Sequence, residues 1–351
     1  MAGKLKQGVR ARWRTALALL GLTALLGAGI FLAVTQQPPR SASGSERIVL
    51  AAETVPHASP VWVAQAKGYF RKHGPQVEIR EFESGRTALA TMLNREGIDL
   101  CTAAQTPVIS HSFTRDDYAI IGGMVYSDRD VKLLARRDRG VHAPQELKGR
   151  TVGITRGSSG HFFLSLFLAC HGLELADVQT TDMEATRLTG ALLEGQVDAI
   201  ATWEPHIYQA RSALRDQAVL LPSSDIYRED FYFIARKDFI RRHPRALERF
   251  LRAIEMSQRF ILENGRDARE VVRRRLQVDG ATLDATWDDF HFTLFLDQSI
   301  LLSLEDEARW AIDNRLTDAT RVPNYLDYIY ADALKAVKPE AVTIVGKEDW
   351  P

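Results

Sequence analysis

Cysteine is scarce: Cys101 and Cys170 are the only two in 351 residues. Two thiols cannot build an iron–sulfur cluster or a four-cysteine zinc site. No HExxH helix, Walker phosphate loop, GxSxG elbow or GxGxxG dinucleotide turn occurs, so the chemistries carried by those motifs lose their sequence support. No metal and no cofactor is expected. Net charge is also missing, with 45 Lys plus Arg against 45 Asp plus Glu, so no global field directs the chain to nucleic acid.

That balance hides a local asymmetry. Residues 1–14 carry Lys4, Lys6, Arg10, Arg12 and Arg14 without an acid, which leaves 40 basic against 45 acidic residues, a net −5, on the rest. Residues 15–34, "TALALLGLTALLGAGIFLAV", hold no charge. As a helix they span roughly 30 Å, about one hydrocarbon core. Basic residues before the run predict an N-in orientation, so a membrane anchor or signal segment is expected at 15–34 and an extracytoplasmic location beyond it. Residues 35–46, rich in Pro, Ser and Gly, read as an extended linker.

From residue 47 onward, strand-like runs alternate with helical ones: "RIVLAAE", "PVWVAQAKGYF", "QVEIREF", "GRTALATMLNREG" capped by Ser84, "IDLCTA", "YAIIGGMV" and "DVKLLAR". The pattern restarts with "GRTVGIT", "GSSGHFFLSLFLACHG", "VQTTDM", "EATRLTGALLEG" and "QVDAIAT". Such alternation predicts α/β units around mainly parallel sheets, and the restart predicts two lobes of similar design. Cys101 falls in the first set and Cys170 in the second. Beyond residue 244, Leu247, Phe250, Leu251, Ile254, Phe260 and Ile261 recur at helical spacing, with Arg245, Arg249, Arg252 and Arg259 on a solvated face.

The stretch "TRGSSGHFF" places Arg156, Ser158, Ser159, Gly160 and His161 where a helix begins. A helix start offers unpaired N–H groups and partial positive charge, which favour an anion. Ser158 or Ser159 acting as a plain N-cap is the competing reading.

Several segments have a recognisable order. "PVWVAQAKGYF" followed by "VEIREFESGRTALATMLNREGIDLCTAAQTP", then "LKGRTVGITRGSSGHFFL", "ALLEGQVDAIATWEPHIYQA" and "HPRALERFLRAI", resembles the extracytoplasmic substrate-binding proteins of ABC importers, in the nitrate, sulfonate, taurine and thiamine-precursor group. The resemblance covers about residues 47–345. It implies a two-lobed periplasmic-binding-protein-like α/β fold (type II), preceded here by the N-terminal helix. Lobe one would be 47–140 and 235–345, and lobe two 141–234. It implies a non-enzymatic, monomeric receptor that closes over a small organic anion or zwitterion and passes it to a membrane permease and its cytoplasmic ATPase. The alternatives are a ligand-sensing module for another membrane protein and an enzyme like the thiamine-pyrimidine synthases. The latter draw on a cysteine-rich segment that this chain lacks.

In open α/β sheets ligands sit beyond the carboxyl ends of strands. The expected ligand contacts are therefore Glu53, His57 and Ser59 after the first strand, Gln105 and Thr106 after the third, and Ser127 after "GGMVY". In the second lobe they are Ser158, Ser159, Gly160 and His161, joined by Trp203 and Glu204 in "TWEP". Trp203 offers a flat wall, and Glu204 facing the cleft would favour a zwitterion or an N–H-bearing ligand over a bare anion. Trp62 is expected in the core.

Overall fold

The computed structural model describes residues 47–94, 97–223 and 226–345. The expected leader, apolar segment and linker lie outside the described residues. Among the described residues, no helix is long and apolar enough to cross a membrane.

Lobe one opens with β1 (Arg47–Glu53), whose residues after Arg47 are all buried, followed by α1 (Ser59–Ala66) and β2 (Gln76–Phe82). Next come α2 (Gly85–Leu93), β3 (Leu100–Ala104), α3 (Gln105–Ser112) and β4 (Tyr118–Ser127). The Ser84 hydroxyl accepts the Thr87 N–H and caps α2, as its sequence position predicts. Lobe two holds β5 (Lys132–Arg136), β6 (Thr151–Ile154), α4 (Ser159–Cys170), β7 (Gln179–Asp182), α5 (Ala185–Leu193), β8 (Ala199–Thr202), α6 (His206–Leu214) and β9 (Ala218–Leu220). The chain then returns through β10 (Glu229–Arg236), the long α7 (Pro244–Glu263) and α8 (Gln298–Asp313) to lobe one.

The first sheet runs β2-β1-β3-β10-β4 and the second β7-β6-β8-β5-β9. Both are mixed. β10 lies antiparallel to β3 and β4, and β5 antiparallel to β8 and β9, while β1–β2, β1–β3, β6–β7 and β6–β8 pair in parallel. Each sheet thus has one reversed strand, and that strand is the first element after the chain changes lobe. Because β5 pairs with β8, the crossing falls at 128–131 rather than at 140. The return crossing falls at 221–228 rather than at 235. The run "DVKLLAR" follows "YAIIGGMV" so closely that sequence order alone assigns it to the first sheet.

Each lobe has its own apolar interior. Trp62, Leu50, Leu89, Tyr232, Phe233 and Phe250 pack in lobe one; Val152, Phe163, Phe167 and Ala199 pack on one face of the second sheet, and Leu188, Leu192 and Ile207 on the other. Burying each such aliphatic or aromatic side chain contributes about 1.5–3 kcal/mol. On α7, Leu247, Phe250, Leu251, Ile254 and Ile261 are buried while Arg245, Arg252 and Arg259 are exposed, as their spacing predicts; Arg249, expected on the solvated face, and Phe260 are half-buried. Both cysteines are free, Cys101 buried in β3 and Cys170 exposed at the end of α4.

Candidate functional site

The two crossing segments, 128–131 and 221–228, lie at the carboxyl ends of β4 and β9, and they bring strand ends and helix starts of both lobes together. Among the described residues, side-chain contacts centred on Lys132, Trp310 and Ser159 join the lobes. Lys132 of β5 donates to Glu204 at 2.6 Å and to Asp289, on the returning chain of lobe one, at 2.7 Å. The indole N–H of Trp310, on α8, donates to the Ser165 hydroxyl on α4 at 3.0 Å. Ser159, the first residue of α4, lies beside Glu229 at the start of β10 and acts to lower its pKa.

The residues expected to hold a ligand divide into two groups. Several are committed inside the protein. Ser59 donates to the Pro56 carbonyl and is fully buried. Gln105 donates to Glu307 at 2.9 Å and accepts the Asp230 N–H, while Thr106 donates to the same Glu307 carboxylate at 2.6 Å. Both side chains thus hold a buried acid on α8, because α8 packs across the start of α3. Ser127 donates to the Asp289 carbonyl and accepts the Arg129 N–H.

At the start of α4, Ser158 caps the helix, accepting the His161 N–H and donating to the Thr155 carbonyl. A Cβ at Gly160 would lie 2.5 Å from the Ala201 carbonyl oxygen, so this glycine seats the helix start on β8. The His161 ring accepts the Gly157 N–H and meets Trp310 edge-on. Burial pulls its pKa down to about 4, so the ring is neutral. Arg156 is exposed. Trp203 is half-buried against the lobe-two core, and Glu204 is held by Lys132 and by the Tyr208 N–H.

The second group keeps unused polar atoms. Oε1 of Glu53 accepts the Gly85 N–H at the start of α2, but Oε2 has no hydrogen bond. Nε2 of His57 stands 3.5 Å from that oxygen and is also without one. The His57 ring stacks on Phe231, with centroids 3.9 Å apart, and tilts against Phe290.

The residues that sequence reasoning missed lie on or beside the crossings. Asp130, on the first crossing, and Glu229, the first residue of β10 directly after the second, are buried, and their carboxyls lie together. Burial raises both above the ordinary carboxylate range, and the contact between them raises Glu229 further. Tyr227 and Thr202 have buried hydroxyls without hydrogen-bond partners. Lys132 is half-enclosed; burial opposes its charge, but Glu204 and Asp289 outweigh that and raise its pKa. Arg228 is clamped by Asp230 at 2.7 Å and lies over the Tyr126 ring. Glu307 is pushed up to about 7 by burial, against the donors of Thr106 and Gln105. In "YSDRDVK" and "YREDF" these acids stand among other charges, and nothing in the string separates a buried one from its solvated neighbours. Among the described residues, no group of His, Cys, Asp and Glu is arranged to hold a metal ion.

The model of the NMT1/THI5-like family matches residues 55–268, more than half of the chain. The chain belongs to the NMT1/THI5-like family. Related sequences include a Brucella abortus chain named as a binding protein, 26% identical over 225 residues, covering 63% of this chain and 69% of that relative. They also include the taurine-binding periplasmic protein of Escherichia coli, 22% identical over 213 residues, covering 58% and 64% of the two chains. The periplasmic aliphatic sulphonate-binding protein of Escherichia coli has the same fold, with a TM-score of 0.69 at 18% identity over 81% of this chain and 97% of that one. The alkanesulfonate-binding protein of Xanthomonas axonopodis pv. citri, solved bound to MOPS, superposes with a TM-score of 0.67 at 16% identity over 83% and 100%. The periplasmic-binding-protein architecture expected for this family member is the one observed.

Proposed function

We propose that this family member is an extracytoplasmic solute receptor that closes over a small organic anion or zwitterion and delivers it to an ABC importer. The observation that carries this reading is the interlobe arrangement. Two α/β lobes joined by two crossings meet through the Lys132–Asp289 ion pair and the Trp310–Ser165 hydrogen bond, with strand ends and helix starts from both lobes converging on the crossings. A contact made only when the lobes are together stabilises the closed form, and a ligand touching both lobes adds to that bias. The names carried by sequence relatives, among them a taurine-binding periplasmic protein, support a solute of this size.

On this reading no bond is made or broken. The partners are a membrane permease and its cytoplasmic ATPase, and residues 15–34 tether a monomeric receptor to the membrane. The test uses the full chain in mild detergent. A panel of sulfonates, taurine, nitrate and pyrimidines is screened by thermal shift, since a solute that binds only the folded state raises the melting temperature. Hydrogen exchange is then measured with each hit. Protection at both crossings and at the start of α4 supports the receptor; a panel without any hit, or hits that protect only an outer face, overturns it.

A further inference from the structure

The end of lobe one opposite the crossings is strongly basic. Segments 69–76 and 236–252 hold nine Lys and Arg against two acids, a net +7, although residues 15–351 together carry a net −5. The topology gathers the two segments. β10 ends at Arg236, whose N–H donates to the Asp99 carbonyl at 3.2 Å, and the Asp99 N–H donates to the Val49 carbonyl at 2.9 Å. The chain therefore enters the short helix Lys237–Arg242, and then α7, beside the starts of β1 and β3. The short helix Tyr69–His73 packs on the first turns of α7. Phe70 and Phe250 stack there with centroids 5.6 Å apart, and a Cβ at Gly74 would lie 3.6 Å from the Arg249 carbonyl oxygen.

Much of this charge is available to a partner. Arg71, Lys72, Arg241, Arg245 and Arg252 are exposed, and among the described residues their side chains enter no hydrogen bond or ion pair. Arg236 and Arg242, by contrast, share Asp238. A cavity of about 300 Å³ beside them is lined by Asp116, Asp117, Arg236, Lys237, Asp238 and Arg241, so its own charge is balanced and the excess lies on the exposed helix faces. With Asp99, Asp116, Asp117 and Asp327 all counted as charged, the end of the lobe still holds a net +3. Guanidinium groups match phosphate oxygens two bonds at a time. Five unpaired cations spread over three helices suit an array of phosphate headgroups better than a single anion.

The path of the chain selects the partner. β1 begins at Arg47, which pairs in register with Gln76, so the described chain starts at this same basic end. Residues 35–46, which join it to the apolar run at 15–34, can span at most about 40 Å. The carboxyl ends of β1 and β3, which carry the candidate site, lie at the other end of the sheet. We propose that the basic end of lobe one is a membrane-docking face, which seats the tethered receptor on anionic phospholipid headgroups with the crossings directed away from the bilayer. This inference rests on the tether proposed above and on no property of the solute.

The test places the full chain in lipid nanodiscs, one set of phosphatidylcholine and one an equimolar mixture with phosphatidylglycerol. Both carry a headgroup spin label that quenches a nearby fluorophore. Cys170→Ser removes the exposed thiol. A dye is then attached at Lys72→Cys or, as the opposite-end control, at Arg86→Cys on α2. The Lys72 dye is expected to be quenched about twofold or more strongly in the phosphatidylglycerol discs. That excess is expected to vanish in molar salt, where the screening length falls to about 3 Å. The triple variant R241E/R245E/R252E is expected to lose it as well, and the Arg86 dye to stay unquenched in both lipids.

Equal quenching of the Lys72 dye in the two lipids, quenching of the Arg86 dye to the same extent, or an excess that survives salt or charge reversal overturns the inference. If the triple variant does not fold, as judged by its melting transition, the two lipids, the salt and the two dye positions still decide. An unquenched Lys72 dye in both lipids, joined to loss of solute delivery by the folded triple variant, assigns the patch to a protein partner and overturns the membrane reading. A chain that does not enter the discs fails the tether and this inference with it. None of these outcomes bears on solute capture, which the thermal-shift panel decides separately.

Discussion

Trp310 and Ser165 stand 145 residues apart in the chain, yet the indole N–H of one reaches the hydroxyl of the other at 3.0 Å. The tryptophan rides on α8 of lobe one, and its ring also meets His161 and Phe162 on α4 of lobe two. One side chain therefore supplies both a hydrogen bond and an apolar contact between the lobes. Trp310→Ala is expected to speed hydrogen exchange across Ser159–Cys170 in the solute-free chain while leaving β1 and β3 unchanged. Exchange followed by mass spectrometry checks this; uniform acceleration in both lobes would mean that the contact holds the whole fold instead of the closed arrangement.

Lys132→Met leaves Glu204 and Asp289 without the cation that both of them contact. Breaking a largely buried ion pair from one side costs about 3 kcal/mol. The expected result is a lower unfolding midpoint in urea at neutral pH. The loss is partly recovered by adding Asp289→Asn, which removes one stranded charge.

Gly160→Ala puts a methyl 2.5 Å from the Ala201 carbonyl oxygen, and the helix start has to move off β8. Overpacking of this kind costs about 1–3 kcal/mol. Urea unfolding measures the cost. Gly157→Ala is no substitute control, since Gly157 has a φ of +71° and is strained by any side chain.

Glu307 and His161 pull the pH dependence of stability in opposite directions. The Glu307 carboxyl, at about 7 against an ordinary 4.5, favours its neutral form in the folded state. Its contribution is complete below 4.5 and is lost as pH rises through about 7. Glu307→Gln is expected to remove that decline, which by linkage is worth roughly 3 kcal/mol. The His161 ring, at about 4 against 6.5, contributes fully above 6.5 and loses its contribution as pH falls through about 4. His161→Gln should flatten that acid limb. Melting temperatures across the two windows test both signs.

The architecture was legible in the string because its cause is local. β-branched and small apolar runs such as "RIVLAAE" alternate with capped helices, and they occur as two successive sets. The crossing points were less so. β5 follows β4 after four residues, a spacing that reads as a hairpin in one sheet, and only its pairing with β8 places it in the other. Among the site candidates, the helix start at Ser158 was readable from its cap chemistry. The use of Gln105 and Thr106 was not, because their partner Glu307 lies about two hundred residues later on an amphipathic helix. Asp130 and Glu229 escaped for a related reason: burial of an acid is decided by tertiary packing, and both sit in charge-rich stretches that read as solvated turns.

The reversed strand of the first sheet has a consequence for the order of assembly. β10 occupies the place between β3 and β4, yet it is made only after all of lobe two. Until the chain has extended past Arg236, β4 has no neighbour linking it to β3, and the first lobe remains split along its middle. Lobe two, whose five strands are contiguous in sequence from Lys132 to Leu220, faces no such wait, so the half encoded second is the half able to complete its sheet first.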